Sequence, residues 1–251
     1  MQIETDGIVL KEQNTGENDR VVTILTRSNG IIRAFARGSR RLRSANGAAT
    51  QLLCYSRFVI FRGRDAYIID EAETKQMFFG LRKEIEKLAL AQYFCELAVS
   101  LVPEEEEAEQ FLRLFLNGFH YLETEKRPIR QVKSIVELRA LSYGGYMPNL
   151  LCCGICGDYE SDEMIFKLKD GVIVCSKCFK SDGRPWAAVS RGVLSALRHI
   201  IYAPFPKLFS FELPEEGLRQ LGSVTEKYVL VQLERSFKTL DFYHQIPGCG
   251  R

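Results

Sequence analysis

The chain is predicted to be α+β: a small N-terminal β-barrel followed by a mostly helical domain with an inserted four-cysteine module. Three observations predict it. Five short runs before residue 79 are rich in Val, Ile, Phe and Tyr and separated by Gly, Asn or Asp, as strands are. From residue 80 the apolar residues recur at three- and four-residue steps, the helix period. Within the helical part, two C-x-x-C pairs are separated by eighteen residues. The expected boundaries are 1–79 for the barrel and 80–251 for the helical domain, with the cysteine module at about 148–184.

The strand runs are IETDGIVLKE, DRVVTILTR, GIIRAFAR, SRFVIFRG and AYIIDEAET, rich in Val, Ile, Phe and Tyr. GEND and SNG between the first three are turn signals. Five short strands, read as antiparallel, fit a small closed barrel, with the OB-fold as leading candidate. Gly38 to Ala49 (GSRRLRSANGAA) breaks the alternation and is expected to be an exposed, mobile loop.

The first helix is expected within LRKEIEKLALAQYFCELAVSLV, with Leu90, Phe94, Leu97 and Leu101 in register. Pro103 and the acids Glu104 to Glu107 are expected to start the second, since acids suit a helix N-terminus. A third is expected from near Pro128 to Gly144-Gly145. Helical periodicity resumes after Ser190, first in RGVLSALRHIIYA and then after Pro214. The tail HQIPGCGR carries no such pattern and is expected to be disordered.

The overall charge of +2 conceals an asymmetry. From Arg20 to Arg64 there are ten arginines and no Lys, Asp or Glu, so the rest of the chain is net acidic. A block of one sign implies an anionic partner; the bland alternative is a solvated strand face. No run approaches the roughly 20 apolar residues of a membrane span. The start MQIETDGIVL has the form of neither a signal nor a transit peptide, so a cytoplasmic protein is expected.

The chain has eight cysteines, and in a cytoplasmic setting they favour metal ligation or burial over disulfides. Cys153 with Cys156, and Cys175 with Cys178, have the spacing of a four-thiolate zinc site. Each pair makes a knuckle that turns both sulfurs toward one ion, and Gly154, Gly157 and Ser176 suit that turn. IFKLKDGVIVC between them reads as a hairpin turning at Lys169-Asp170-Gly171. Four thiolates close the coordination sphere, so one structural zinc is expected; an iron–sulfur cluster or bare thiols are the alternatives. Cys152 could substitute for Cys153 at the cost of an unusual spacing. Cys54 and Cys95 sit among apolar residues as buried thiols, and Cys249 carries no reading.

There is no G-x-x-x-x-G-K-[ST], H-E-x-x-H or G-x-S-x-G, and His120, His199 and His244 are isolated. Nothing in the sequence argues for an enzyme.

Several of these segments, taken together, resemble the bacterial recombination and repair mediator family RecO. They are Gly7 to Leu10 (GIVL), Gly16 to Asp19 (GEND), Val22 to Gly30 (VTILTRSNG) and Ala36 to Arg41 (ARGSRR), with the cysteine pairs downstream in the same order. One segment departs from the pattern: GAATQLLCYSRF stands at Gly47 to Phe58 where the family often has a GxLQPF-like segment. The resemblance implies an OB-fold, a helical domain and a zinc module. It implies binding of single- and double-stranded DNA and ATP-independent annealing. It further implies work with RecR and with the acidic tail of single-stranded-DNA-binding protein (SSB), so that RecA loads on SSB-coated strands near the nucleoid.

For DNA, the arginine block offers Arg20, Arg33, Arg37, Arg40, Arg41 and Arg43, with Phe35 and Phe58 as stacking candidates, although aromatic strand residues more often face the barrel core. For the SSB tail, Arg130, Lys133 and Arg139 lie on one helix among Val132, Ile135 and Val136; exposed helix charges are the plain alternative. The competing readings are a zinc-ribbon transcription or RNA-binding factor, and an adaptor whose arginines meet an acidic protein.

Overall fold

The computed structural model describes residues 2–63, 66–159, 161 and 163–247. The chain divides into two compact units, Met1–Thr124 and Glu125–Arg251.

The first unit opens with β1 (Gln2–Thr15), β2 (Asp19–Thr26), β3 (Ile31–Ala36), β4 (Cys54–Arg62) and β5 (Tyr67–Met77), closed into a barrel in the order β1-β2-β3-β5-β4. This is the strand order of an OB-fold. Val9, Val22, Ile24, Ile32, Ala34, Ala36, Phe58, Ile60 and Ile69 fill its interior. Not every pair is antiparallel, as the strand pattern suggested. β3 and β5 run parallel through Ala34–Tyr67 and Phe35–Ile68. The reason is parity: strands in a closed ring of five cannot alternate in direction throughout, so one pair must be parallel.

The connection from β3 to β4 is a chain of turns. Arg41 N–H donates to the Gly38 carbonyl, Ser44 to Arg41, Gly47 to Ser44 and Thr50 to Asn46. Its foot is fastened to the barrel: Gly38 N–H donates to Asp19 Oδ1 at 2.7 Å, and Leu53 N–H to the Val9 carbonyl at 2.9 Å. Arg40 to Arg43 are exposed, as expected, but Ser39 and Ala49 are buried, and the segment is built of successive hydrogen-bonded turns rather than irregular chain.

A 3₁₀ turn (Phe79–Arg82) leads into α1 (Ile85–Leu101), and α2 (Glu109–Thr124) completes the unit. Leu90, Phe94 and Leu97 are buried, and Phe111, Leu114, Phe115, Phe119 and Leu122 form a buried stripe on α2. The acidic run does not start α2. Ile31 N–H donates to the Pro103 carbonyl, Glu105 N–H to Asn29 and Ala108 N–H to Arg27, so 103–108 is a strap laid on the β2–β3 turn. Gly30, at φ +58°, permits the approach: a Cβ there would lie 1.9 Å from the Pro103 carbonyl oxygen. Glu105, at φ +61°, turns its carboxylate to Arg62 at 2.7 Å and accepts from Tyr67 Oη at 3.1 Å. Barrel partners thus draw a run of like charges out of helical conformation.

In the second unit, α3 (Ile129–Tyr143) is buried on nearly every side, including Gln131, Lys133, Ser134, Glu137 and Arg139. Then come β6 (Met164–Lys167), β7 (Val172–Cys175), β8 (Trp186–Val189), α4 (Arg191–Tyr202), α5 (Glu215–Leu233) and α6 (Lys238–Gln245). The hairpin turn falls as expected, with Gly171 at φ +66°. β8 adds a third strand, giving the order β7-β6-β8. The sheet is seated on α5: Phe166 packs on Tyr228 with ring centroids 4.9 Å apart, and Gln232 Nε2 donates to the Leu168 carbonyl at 2.6 Å. The tail is ordered further than its composition suggests. His244 and Gln245 finish α6, and His244 Nε2 lies 2.9 Å from Glu226 Oε1. Residues 248–251, with Cys249, lie outside the described residues. Among the described residues no helix is long and apolar enough to cross a membrane.

Candidate metal centre and basic face

The two knuckles converge. The sulfur atoms of Cys153, Cys156, Cys175 and Cys178 all lie within 4.8 Å of one another. Gly157 at φ +76° lets its N–H reach back to the Cys153 carbonyl at 2.9 Å, closing the first knuckle. In the second, Cys178 N–H donates to the Cys175 carbonyl at 3.0 Å. Cys175 sits at the end of β7, and its N–H points at Cys153 Sγ at 3.3 Å, so the hairpin carries one knuckle to the other. Cys152 is not one of the four.

The donor set fits a closed tetrahedral metal site. Sulfur ligands at about 2.3 Å from zinc stand about 3.8 Å from one another in a tetrahedron, and Cys156 and Cys175 stand 3.7 Å apart. Burial opposes ionisation of Cys153, but N–H groups of Cys156, Cys175 and Ile155 bring its thiol down to about 6. Cys178, which shares hydrogen bonds with Cys156 and Cys175, is pushed up to about 12. Thiolates this close cannot all ionise without a cation between them. Arg198, which sequence reasoning passed over, braces the first knuckle from α4. Its Nε donates to the Leu150 carbonyl at 2.7 Å and its Nη2 to those of Leu151 and Tyr159. Its guanidinium also lies 4.2 Å from the Tyr159 ring centroid. No local pattern marks such a brace, because its partners lie far off in sequence.

The arginine block splits into two groups in space. Arg20 faces Glu12, Arg27 faces Asp6 and Glu109, Arg57 faces Glu4, and Arg62 faces Glu105. Every one of those acids lies outside the block. Arg33, Arg37, Arg40, Arg41 and Arg43 are exposed and, among the described residues, have no carboxylate within ion-pair distance. Arg40 gives one arm to the Glu17 carbonyl at 3.0 Å, which points the loop back over the β1–β2 turn. Arg20 is the exception among the six DNA candidates. Its side chain is 16% exposed, and Nη1 donates to the Gly47 carbonyl and Thr50 Oγ1, so it is a strut under the loop. Arg64 lies outside the described residues.

The two aromatic candidates also separate. Phe58 is buried in the barrel interior, whereas Phe35 is 40% exposed on the outer face of β3. The alternation that buries Ile32, Ala34 and Ala36 puts Arg33 and Phe35 on one surface, and Arg37 follows in the turn after the strand.

The α3 cations are engaged within the second unit. Lys133 Nζ lies 2.7 Å from both Glu137 and Glu226. Arg139 donates to the carbonyls of Ile201 and Ala203, where α4 ends. Arg130 reaches Glu215 at 3.0 Å. Arg130 and Lys133 line a cavity of about 310 Å³ together with Arg219, Ser223, Glu226, Tyr243 and His244; Arg139 does not line it. Arg219 and His244 come from α5 and α6, which is why the α3 sequence alone could not name them.

The family model described as "Recombination protein O N terminal" matches residues 1–78, and "Recombination protein O C terminal" matches 82–241. A protein of Acetivibrio thermocellus named DNA repair protein RecO is 38% identical over 240 residues, covering 96% of this chain and 95% of that one. Proteins of the same name from Alkaliphilus metalliredigens and Caldicellulosiruptor bescii are 29% and 30% identical. The first covers 98% of this chain and 100% of its own length; the second covers 97% and 98%.

Proposed function

The chain belongs to the recombination protein O family, and from that premise we propose that it is a non-enzymatic mediator of recombinational DNA repair. In this reading it binds single- and double-stranded DNA through its barrel and anneals complementary strands without ATP. With RecR it helps load RecA on SSB-coated single strands, in the cytoplasm at the nucleoid.

The observation that carries this reading is the exposure of Arg33 and Phe35 on β3 and of Arg37, Arg40, Arg41 and Arg43 in the turns that follow it, five guanidinium groups without a carboxylate partner among the described residues. Annealing requires two polyanions to approach closely. Unneutralised guanidinium groups displace the counterions and lower that repulsion without reading sequence, and Phe35 offers a face on which any base can stack. Arg20 serves by holding the loop in place. Residues 1–79 would be the DNA-binding part and 80–251 the part that meets protein partners. Zinc on Cys153, Cys156, Cys175 and Cys178 would hold the module together with no open position for chemistry.

The SSB tail, an acidic peptide, would enter the cavity beside Arg130 and Lys133, with Arg139 supporting it by fixing the end of α4. Changing Arg130 to Glu is expected to weaken binding of a fluorescent acidic-tail peptide about tenfold; unchanged affinity would remove the site.

The test of the main reading is annealing of labelled complementary oligonucleotides coated with SSB. The wild-type chain should accelerate it without nucleotide, and a folded variant with Arg37, Arg40, Arg41 and Arg43 changed to Ala should not. No acceleration by the wild type would sink the proposal.

A further inference from the structure

Leu42 is fully exposed, at 104% of its reference area, in the middle of the basic loop. The turn closed by Ser44 N–H on the Arg41 carbonyl puts Leu42 and Arg43 at its two central positions, the outermost points of the turn. Arg40, Arg41 and Arg43 around it are all exposed. The foot of the loop is fixed by Gly38 on Asp19, by Arg40 on the Asn18 and Glu17 carbonyls, and by Arg20 on the Gly47 carbonyl. An isolated apolar residue on a surface needs no explanation. An apolar knob held out on a fastened turn and flanked by exposed Arg40, Arg41 and Arg43 is a different case. The partner that covers it must offer negative charge to the guanidinium groups and an apolar surface a few ångströms further in. A nucleic acid strand has both, phosphates outside and base faces inside.

We propose that Leu42 is a wedge that enters the gap between neighbouring bases of a single strand whose phosphates lie on Arg40, Arg41 and Arg43. This rests on the reading of the basic face as a nucleic-acid surface. Apolar side chains placed between base steps part the stack. A parted single strand presents its pairing edges instead of curling on itself, which is the state a complementary strand needs to find. The arginines supply most of the affinity, and Leu42 sets the conformation of the bound strand.

The experiment uses a single-stranded oligonucleotide with 2-aminopurine, whose fluorescence rises when it is unstacked, and compares the full-length wild-type chain with Leu42→Ala and Leu42→Met. Leu42 is covered by nothing, so both variants should keep the wild-type melting temperature. Wild type should raise the fluorescence on binding. Leu42→Ala should bind about fivefold more weakly, with an unchanged salt dependence, and leave the probe quenched at saturation; Leu42→Met should restore the signal. A saturated Leu42→Ala complex as bright as wild type would overturn the wedge and leave the basic face standing. Failure of the wild type to bind the oligonucleotide at low salt would overturn both. Leu42-dependent binding to phosphatidylserine vesicles, with oligonucleotide binding indifferent to Leu42, would overturn the wedge in favour of a lipid surface.

Discussion

The sulfur atoms of Cys156 and Cys175 lie 3.7 Å apart although nineteen positions separate the residues in sequence. That distance suits the edge of a tetrahedron of thiolates around one ion, and the hairpin of β6 and β7 sets it. The second-unit sheet has only three short strands of four residues each, too little core to stand without a staple. Metal analysis is therefore expected to find one zinc per chain. Cys175→Ser should lose the zinc and about 3 kcal/mol or more of stability, with oligonucleotide affinity of the basic face kept. Cys152→Ser should keep its zinc.

Salt dependence separates the paired arginines from the unpaired ones. Five phosphates neutralised on single strands give a slope of log K against log salt of about −3.5. Changing Arg37, Arg40, Arg41 and Arg43 to Ala should flatten it by about 2.8, at about 0.7 per contact. Arg27→Ala and Arg57→Ala, which remove guanidinium groups already facing acids, should leave the slope as it is. A wild-type slope near zero would end the phosphate-contact account.

Acid stability reports on the triad of buried Lys133 and Glu137 with half-buried Glu226. Burial works to raise the Glu226 carboxyl, but Lys133 beside it, with His244, holds it below the ordinary 4.5. A depressed carboxyl contributes stability above its unfolded value and loses it as the pH falls through the folded one. Glu137 has the opposite sign, since its complete burial outweighs Lys133 and raises its carboxyl. Urea unfolding at pH 7 and pH 4 should therefore show a smaller acid loss in Glu226→Gln, which keeps Glu137, than in wild type. An equal loss in the two proteins would remove Glu226 from the account.

Much of this architecture was legible in the residues. GIIRAFAR was readable as a strand, but which of its faces is basic was not: only the burial of Ile32, Ala34 and Ala36 in the barrel turns Arg33 and Phe35 outward. The C-x-x-C pairs foretold the cluster, because ligand spacing is local. What remained hidden depends on partners remote in sequence. Which arginines stay unneutralised turns on Glu4, Asp6, Glu12, Glu105 and Glu109. The burial of Lys133 turns on Glu226, 93 residues away. Glu104 to Glu107 carry the composition of a helix start, yet Gly30 and Arg62 bind the strap first.

The strap also bears on the order in which the protein is made. The N–H of Ile31 finds its acceptor on Pro103, and the Asn29 and Arg27 carbonyls find their donors on Glu105 and Ala108. A ribosome that has just finished β5 has therefore not yet made the groups that seal the β2–β3 turn. The barrel can close its ring then, but that edge stays wet until some thirty further residues have emerged, as the spacing from Met77 to Ala108 requires. A nascent chain halted before Pro103 should thus hold a barrel open to protease at Arg27, and one halted after Thr124 a barrel that resists it.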